Sequence, residues 1–257
     1  AVVEARRFGT GTVPVPRPFG WLAAGARDFV RCPWPGLLHG TALAAFGALL
    51  LWQARHQFWW LAGAFSGFLL VAPVLATGLY AVSRELQRTG RANLHTAIAA
   101  WRPSHWRLVI FGLGLALAGT GWVLTSAAFI TAMSPLPVHE PADFLRHVVL
   151  AREGWLFEAW LALGALLAAP VFASSVVAIP MLLDRVVSVR AAIYTSWRVT
   201  MDNPVPLALW AALLLGLTLL GMLTALVGLV VVAPWLAHAS WHAYRDLVST
   251  RGLEARP

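Results

Sequence analysis

The chain carries apolar runs that are too long for a soluble protein to bury. The longest covers residues 205–243, and as a single helix of about 40 residues it would be roughly twice as long as a bilayer core is thick. Hydrophobic residues make up 59% of the 257 positions and charged residues 12%. This leaves too little polar surface for a water-soluble globule. The sequence therefore predicts an integral membrane protein.

We predict six transmembrane helices, because six segments come close to or exceed the roughly 20 apolar residues that a bilayer core requires. They are Leu37–Gln53, Phe58–Ser83, Trp106–Met133, Gly154–Leu183, Val205 to about Ala225, and about Leu226 to Ala243. The last two share one apolar run, so a tight turn is required between Gly221 and Gly228. The predicted fold class is an all-α, polytopic membrane protein, since the segments lack the alternation of β-barrel strands.

The arginines divide unequally between the two sides of this predicted bundle. All 19 basic residues are arginine. Sixteen lie before the first span, after the last, or in the even-numbered connections, if Arg107 at the entry to the third span is included, whereas Arg55, Arg146 and Arg152 lie in the odd-numbered ones. The positive-inside rule then places both termini in the cytoplasm. Because the use of arginine alone is typical of GC-rich bacterial genomes, we expect the membrane to be a bacterial inner membrane. The formal charge of +8 indicates anionic lipid headgroups as a partner rather than nucleic acid.

Three apolar segments reach a proline and then end in charge, which suggests an internal repeat. Their sequences are VAPVLATGLYAVSREL at 71–86, AIPMLLDR at 178–185 and VAPWLAHASWHAYRDL at 232–247. We interpret Pro73, Pro180 and Pro234 as helix-kink positions on the even spans. The prediction is a single membrane domain of three parallel hairpin repeats, about 17–90, 91–188 and 189–247, flanked by polar tails 1–16 and 248–257. Coincidental similarity of kinked helices is the alternative.

Amphipathic segments precede the odd spans. Two share the spacing i, i+3, i+4, i+7, namely Leu22, Gly25, Ala26, Phe29 and Leu94, Ala97, Ile98, Trp101, and Ile193 with Trp197 gives a partial third. This spacing predicts short helices in the cytoplasmic interface, with the apolar face in lipid and arginine toward the headgroups. A charged loop with chance periodicity is the alternative.

His238 and His242 form the best metal-ligand pattern in the chain. At a spacing of four on a helix they share one face and could hold a metal ion. Two ligands do not complete a site, so interfacial, hydrogen-bonded histidines are the competing interpretation. No cofactor is predicted.

Glu158 lies inside the fourth apolar run, where an ionised carboxylate is costly unless it is paired or hydrated. It is a candidate proton or substrate site, although a position one turn from the outer interface also suits a carboxylate that reaches water. Gly63 with Gly67, and Gly114 with Ala118, have the small-xxx-small spacing of closely packed helices. We predict helix-packing roles for these four residues.

Enzyme motifs are absent from the sequence. There is no HExxH, no GxxxxGK[ST], no GxSxG and no pair of carboxylates within a span, so we expect a non-enzymatic protein.

The chain resembles a family of bacterial six-helix integral membrane proteins of unknown function. The resemblance rests on PFGWLAAGARDFVRCPWPGLLHG, PVLATGLYAVSREL with LHTAIAAWR, IPMLLDR to SWRVTMDNPVPLALW, and APWLAHASWHAYRDLV. Some members are labelled putative cytochrome c oxidase subunits, which implies association with a respiratory complex.

Two functional hypotheses follow from these patterns. In the first, the protein is an accessory or assembly subunit that contacts another membrane protein, with a respiratory complex as the partner that the resemblance implies. In the alternative, it is a transporter or channel for a small solute or ion, with a cavity between three kinked hairpins.

Overall fold

The computed structural model describes residues 2–5, 8–54, 63–64, 76–100, 106–150 and 154–250. Its helices are α1 (Val2–Ala5), α2 (Arg17–Arg31), α3 (Pro33–Ala54), α4 (Thr77–Thr89), α5 (Leu94–Ala99), α6 (Trp106–Met133), α7 (Pro141–Phe144), α8 (Leu156–Ser175), α9 (Ala178–Asp184), α10 (Val189–Asp202), α11 (Pro204–Leu223) and α12 (Leu229–Leu247). A π-helical turn, Leu145–Val149, follows α7, and two-residue strands β1 (Gly9–Thr10) and β2 (Val248–Ser249) pair antiparallel. The all-α prediction is confirmed.

Among the described residues, four helical segments are long and apolar enough to cross a membrane. They are Pro33–Gln53, Trp106–Met133, Leu156–Asp184 and Pro204–Leu223. They match the predicted first, third, fourth and fifth spans. Most of the predicted second span lies outside the described residues. The sixth forms a helix, α12, that is not in this set; its C-terminal half carries histidines and charged residues, so its composition differs from that of a lipid-facing span.

A tight turn divides the longest apolar run, as predicted. α11 ends at Leu223 and α12 begins at Leu229. Within the turn, Thr224 Oγ1 accepts a hydrogen bond from the Gly228 amide at 2.8 Å and donates one to the Gly221 carbonyl at 2.9 Å. These bonds satisfy backbone groups that the end of a helix leaves open, so the chain reverses within five residues.

The described residues divide into two compact units. The first unit comprises those of Ala1–Ala44, Pro73–Phe111 and Phe172–Pro257, and the second comprises those of Ala45–Ala72 and Gly112–Val171. Each unit combines segments that are distant in sequence, and neither coincides with one predicted repeat. The three-repeat organisation stays a prediction.

In the first unit, the amphipathic face of α2 packs on α12 rather than on lipid. Leu22 is buried, and its carbonyl accepts a 2.7 Å hydrogen bond from Trp235 Nε1. Gly25 lies so close to Ala239 that a methyl group at this position would overlap the backbone of α12. The helix itself was predicted correctly, but the lipid-facing orientation of Leu22 and Gly25 is wrong. Periodicity reveals an apolar face without revealing what covers it.

One side of the helix α5 is buried, and the other side is exposed. Ala97 is buried with Cys32, Val82 and Leu86, whereas Ile98 is 60% exposed. Its N-terminus is held by Asn93, whose side chain accepts a hydrogen bond from the amide of Thr96, as in a capping box. Of the predicted amphipathic face, Trp101 lies outside the described residues.

The segments near the two termini meet in the first unit. Gly9 pairs with Ser249 and Thr10 with Val248 in the two-stranded sheet. The Asn203 side chain binds the same N-terminal segment, accepting from the Val13 amide at 2.8 Å. The two terminal segments are thus hydrogen bonded to one another within the first unit.

The second unit has its own apolar core. Ile130, Val138, Val148 and Leu156 are its buried members. Trp160 packs against this cluster and donates a 2.6 Å hydrogen bond from Nε1 to Ser126 Oγ. The indole thus buries its ring and satisfies its one polar group at the same place.

The prolines differ in their helical positions. Pro180 lies in the first turn of α9, after the chain has left α8 at Ser175. A proline has no amide to bond the carbonyl four residues earlier, which here belongs to Val176, and the helical run is interrupted at 176–177. Pro170 and Pro234 lie inside described helices. Pro73 lies outside the described residues.

Candidate functional site

Three helices of the first unit bring four polar side chains together in the protein interior. Asp28 projects from α2, Ser83 from α4, and His238 and His242 from successive turns of α12. Asp28 is 5% exposed, and Ser83 and His238 are fully buried. Each of these side chains points into the protein because it lies on the buried face of its own helix. Polar groups at this depth need hydrogen-bond partners.

The hydrogen bonds among these side chains run toward the carboxylate of Asp28. Asp28 Oδ2 accepts from Ser83 Oγ at 2.7 Å and from His242 Nε2 at 2.8 Å. Because the single serine proton goes to the carboxylate, the 2.8 Å contact between Ser83 Oγ and His238 Nδ1 requires the imidazole to donate. A neutral His238 therefore carries its proton on Nδ1. Its Nε2 lone pair has no hydrogen-bond partner among the described residues.

Gln87 continues this chain of bonds toward the protein surface. Its Nε2 lies 3.2 Å from His242 Nδ1, and its Oε1 accepts from Trp241 Nε1 at 3.0 Å. Since His242 Nε2 donates to the carboxylate, its Nδ1 accepts from the glutamine amide. Both ring nitrogens of His242 are thereby engaged. We call these six residues, Asp28, Ser83, Gln87, His238, Trp241 and His242, the polar network.

The environment of Asp28 favours its charged form. Burial raises the pKa of its carboxyl, but the hydrogen bonds from His242 and Ser83 outweigh that effect, and the pKa lies below its ordinary value of 3.8. The carboxylate is ionised at neutral pH and joins α2 to α4 and α12.

The predicted metal pair, His238 and His242, does lie on one face of α12. His242 uses both ring nitrogens and His238 uses one in the polar network. In the part of the chain that the structure describes, no three His, Cys, Asp or Glu residues are arranged to hold a metal ion. Metal binding by the pair stays a prediction without a third ligand.

A cleft of about 270 Å³ lies beside the polar network, and we call it the arginine cleft. Its lining residues are Arg84, Gln87, Arg88, Asp184, Arg185, Trp241 and Arg245. Among the described residues, this lining contains four arginines and one carboxylate. Arg84, Arg185 and Arg245 belong to the three proline-containing segments, 71–86, 178–185 and 232–247. Burial lowers the pKa of Arg84, yet a guanidinium remains protonated in proteins.

Asp184 neutralises part of the positive charge in the arginine cleft. Its Oδ2 accepts from Tyr244 Oη at 2.8 Å and lies 3.0 Å from Arg185 Nε and 3.8 Å from Arg245 Nη1. Burial and the neighbouring carboxylate both raise the pKa of Tyr244, which therefore stays a donor. Thr250 Oγ1 accepts from both guanidinium groups, at 3.0 Å from Arg185 and 3.2 Å from Arg245.

The second unit contains an open face on α6. A methyl group added at Gly114 or Gly121 would have no atom of the described residues within 4 Å, apart from those of its own helical turn and chain neighbours. Leu117 and Leu124, one turn along the same side, are 74% and 66% exposed. The opposite side of α6 is buried through residues such as Leu115. One face of α6 thus packs inside the chain, and the other is unoccupied by the described residues.

The structure separates the remaining predicted site residues. Glu158 lies exposed in the first turn of α8, a position where the helix dipole favours a carboxylate. A methyl group added at Gly63 would lie 3.7 Å from Val123 Cγ1, which is an ordinary van der Waals distance. Gly67 lies outside the described residues.

Gly114 and Ala118 differ from a pair packed inside the protein. Gly114 does not pack against another described helix, and Ala118 is half-buried on the same helix. The predicted packing role of this pair stays a prediction, and it requires a partner other than the described residues.

Several close contacts were missed by sequence reasoning. Gly25 and Gly40 approach α12 at Ala239 and at the Val230 carbonyl. Asp28 was also missed, although it follows Gly25 at helical spacing on an amphipathic face. That position was the one signal that could have marked it as buried.

Comparisons with known proteins support the membrane assignment. Residues 60–184 match a family described as a predicted integral membrane protein (DUF2189). The match confirms the resemblance to an integral membrane family of unknown function over those residues. No curated protein and no solved structure matches the chain.

Proposed function

We propose that this integral membrane protein is a non-enzymatic accessory or assembly subunit that binds another membrane protein through the open face of α6. The observation that carries the proposal is the open space at Gly114 and Gly121. With Ala118 between them, they form a small-residue face on a helix that is apolar enough to cross a membrane. In lipid, such faces associate because they let two backbones approach closely.

The proposed arrangement has six spans in a bacterial inner membrane, with both termini in the cytoplasm. The hydrogen bonds between β1 and β2 support an even number of crossings, because paired strands are expected on one side of a membrane. The distribution of arginines favours the cytoplasmic side for those segments. A respiratory complex is the first partner to test, because of the cytochrome c oxidase label in the family that the chain resembles.

The experiment compares leucine substitutions on two helices. Gly114→Leu and Gly121→Leu fill the open face of α6, and Gly216→Leu is the matched control, because Gly216 on α11 is equally open. Each variant is purified in mild detergent, and co-purifying membrane proteins are identified by mass spectrometry with a reduced-minus-oxidised spectrum. We expect a specific partner with the wild type and Gly216→Leu that is lost with both α6 variants.

Two outcomes contradict the proposal. One is a wild-type protein that purifies without any stoichiometric partner. The other is a partner retained equally by all three variants, which would place the interface elsewhere.

The transporter alternative depends on Glu158 or on the histidine pair lining a path through the membrane. No described contact favours this reading. The two histidines are engaged with Asp28, Ser83 and Gln87 inside the first unit.

A further inference from the structure

The arginine cleft concentrates like charges that come from three separate parts of the chain. Arg84 and Arg88 lie on α4, Arg185 follows α9, and Arg245 lies in the last turn of α12. Bringing cations together costs free energy unless anions neutralise them. Among the lining residues that the structure describes, Asp184 supplies one such anion beside the four arginines.

Two of these guanidinium groups are already arranged around shared oxygen atoms. Arg185 and Arg245 both approach Asp184 Oδ2 and both donate to Thr250 Oγ1. A neutral hydroxyl that accepts from two guanidinium groups occupies the position of one oxygen of an anion. Tyr244 holds the shared carboxylate from the buried side at 2.8 Å, which fixes the geometry of the pair.

Two lining residues of the arginine cleft, Trp241 and Gln87, are hydrogen bonded to each other. Trp241 is 1% exposed, and its indole nitrogen is bonded to Gln87. Gln87 is in turn bonded to His242 of the polar network. Every lining residue except Arg185 lies on a helix, and a preorganised site loses less entropy when a ligand binds.

We propose that the arginine cleft is a binding site for a phosphate group. Arginines from three parts of the chain suit a ligand with three or four acceptor oxygens better than a carboxylate, which has two. The volume of about 270 Å³ is at the lower limit of ordinary small-molecule pockets, so it fits a phosphate with a small substituent. The phosphate comes either from a lipid headgroup or from a soluble phosphate compound. This site is independent of the proposed partner face on α6.

The test uses substitutions of exposed arginines of the cleft. Arg88 is exposed and Arg245 is 39% exposed in its side chain, so Arg88→Gln, Arg245→Gln and the double variant remove charge with little loss of packing. The matched control is Arg27→Gln with Arg190→Gln. It removes two exposed arginines that lie outside the cleft, and therefore the same net charge.

Binding is measured on the full chain, purified in detergent and delipidated, in two arms. One arm titrates inorganic phosphate against chloride at constant ionic strength and follows the thermal midpoint. The other compares phosphatidylglycerol with diacylglycerol of the same acyl chains by native mass spectrometry. Folding of every variant is checked by size-exclusion chromatography.

We expect the wild type and the control to bind in at least one arm. Each single cleft variant should bind about tenfold or more weakly, since a charge-assisted hydrogen bond is lost. A response to inorganic phosphate indicates a soluble ligand, and a response confined to phosphatidylglycerol indicates a lipid headgroup; both support the site. The proposal is overturned if neither arm shows binding, or if the double variant binds as tightly as the control. We expect these variants to retain the α6 partner. A failure of the phosphate site can therefore be distinguished from a failure of the proposed function.

Discussion

At the scale of single residues, the hydrogen bonds of the polar network converge on one oxygen atom. Asp28 Oδ2 receives the hydrogen bonds of Ser83 and His242, and the bond from His238 reaches it through the serine. These three donors in the polar network therefore depend on one charge. Replacing all members of such a buried network by apolar residues can cost little stability. Removing the carboxylate alone, however, leaves several donors unsatisfied.

Replacement of this carboxylate should be costly. Asp28→Ala leaves the Ser83 hydroxyl and the His242 Nε2 proton without an acceptor, and we expect a loss of about 2–5 kcal/mol in the free energy of unfolding. The control is Asp202→Ala, which removes an exposed carboxylate that accepts from Thr10 and should cost less than about 1 kcal/mol. Thermal unfolding in detergent measures both. Equal losses would contradict the role of Asp28.

The pH dependence of stability should also report on Asp28. Its pKa is lower in the folded protein than the ordinary 3.8, so its contribution to stability is present above about that pH and is lost as the pH falls through the folded value. Asp28→Asn keeps an oxygen acceptor and removes the charge. We expect the difference in thermal midpoint between wild type and Asp28→Asn to be constant near neutrality and to narrow below pH 3.8. A difference in thermal midpoint that grows in acid would show that the charge of Asp28 does not stabilise the folded protein.

At the scale of elements, α2 is held to α12 by close backbone approach. Gly25 faces the backbone of Ala239, and the Leu22 carbonyl accepts from Trp235. Near the N-terminus of α2, Arg17 and Trp21 both donate to Asp246, at 2.6 Å and 2.8 Å. The helix is thus fixed along its buried side, and its amphipathic pattern serves protein packing.

Two glycines of α2 give a matched test of this contact. Alanine favours a helix over glycine by up to about 1 kcal/mol, and at Gly20 the nearest atoms belong to the Arg17 side chain at 3.8 Å. Gly20→Ala should therefore leave the thermal midpoint unchanged or slightly raised. Gly25→Ala should lower it, because overpacking against rigid backbone costs about 1–3 kcal/mol or more. Similar effects from the two substitutions would contradict the close approach.

At the scale of the whole molecule, the pairing of β1 with β2 limits the topology. We expect both strands to lie on one side of the membrane, since their backbones are hydrogen bonded. The turn at 224–228 follows α11, a helix of 20 residues, which at about 1.5 Å per residue is as long as a bilayer core is thick. The turn should therefore lie on the side opposite the termini.

Cysteine labelling tests this arrangement. In a Cys32→Ala background, Thr12→Cys and Ala225→Cys place single thiols at exposed positions. With a membrane-impermeant maleimide, we expect Ala225→Cys to react from the periplasmic side and Thr12→Cys to react after the cytoplasmic side is opened. Labelling of both from the same side would overturn the same-side termini or the crossing of α11.

Sequence reasoning located helices better than it located their neighbours. The bounds of α6 and the turn before Leu229 follow from apolar length and chain reversal, which are local properties. Gly114 and Gly25 both sit among small residues, yet Gly25 lies against α12 while Gly114 is open. The two glycines have similar neighbours in the sequence, and their packing differs because it depends on whether a distant helix lies against them. For the same reason Asp28 and the arginine cleft could not be predicted.

The sequence by itself determined that this is an integral membrane protein of long apolar helices, because the transfer of apolar side chains from water depends on composition and length. It also determined that the longest apolar run turns between Gly221 and Gly228, since one helix of that length would exceed the thickness of a bilayer. Only the tertiary structure decided that Asp28 meets His242 and that Arg84, Arg185 and Arg245 share one cleft. Asp28 and His242 are 214 positions apart, and packing alone sets which such residues meet.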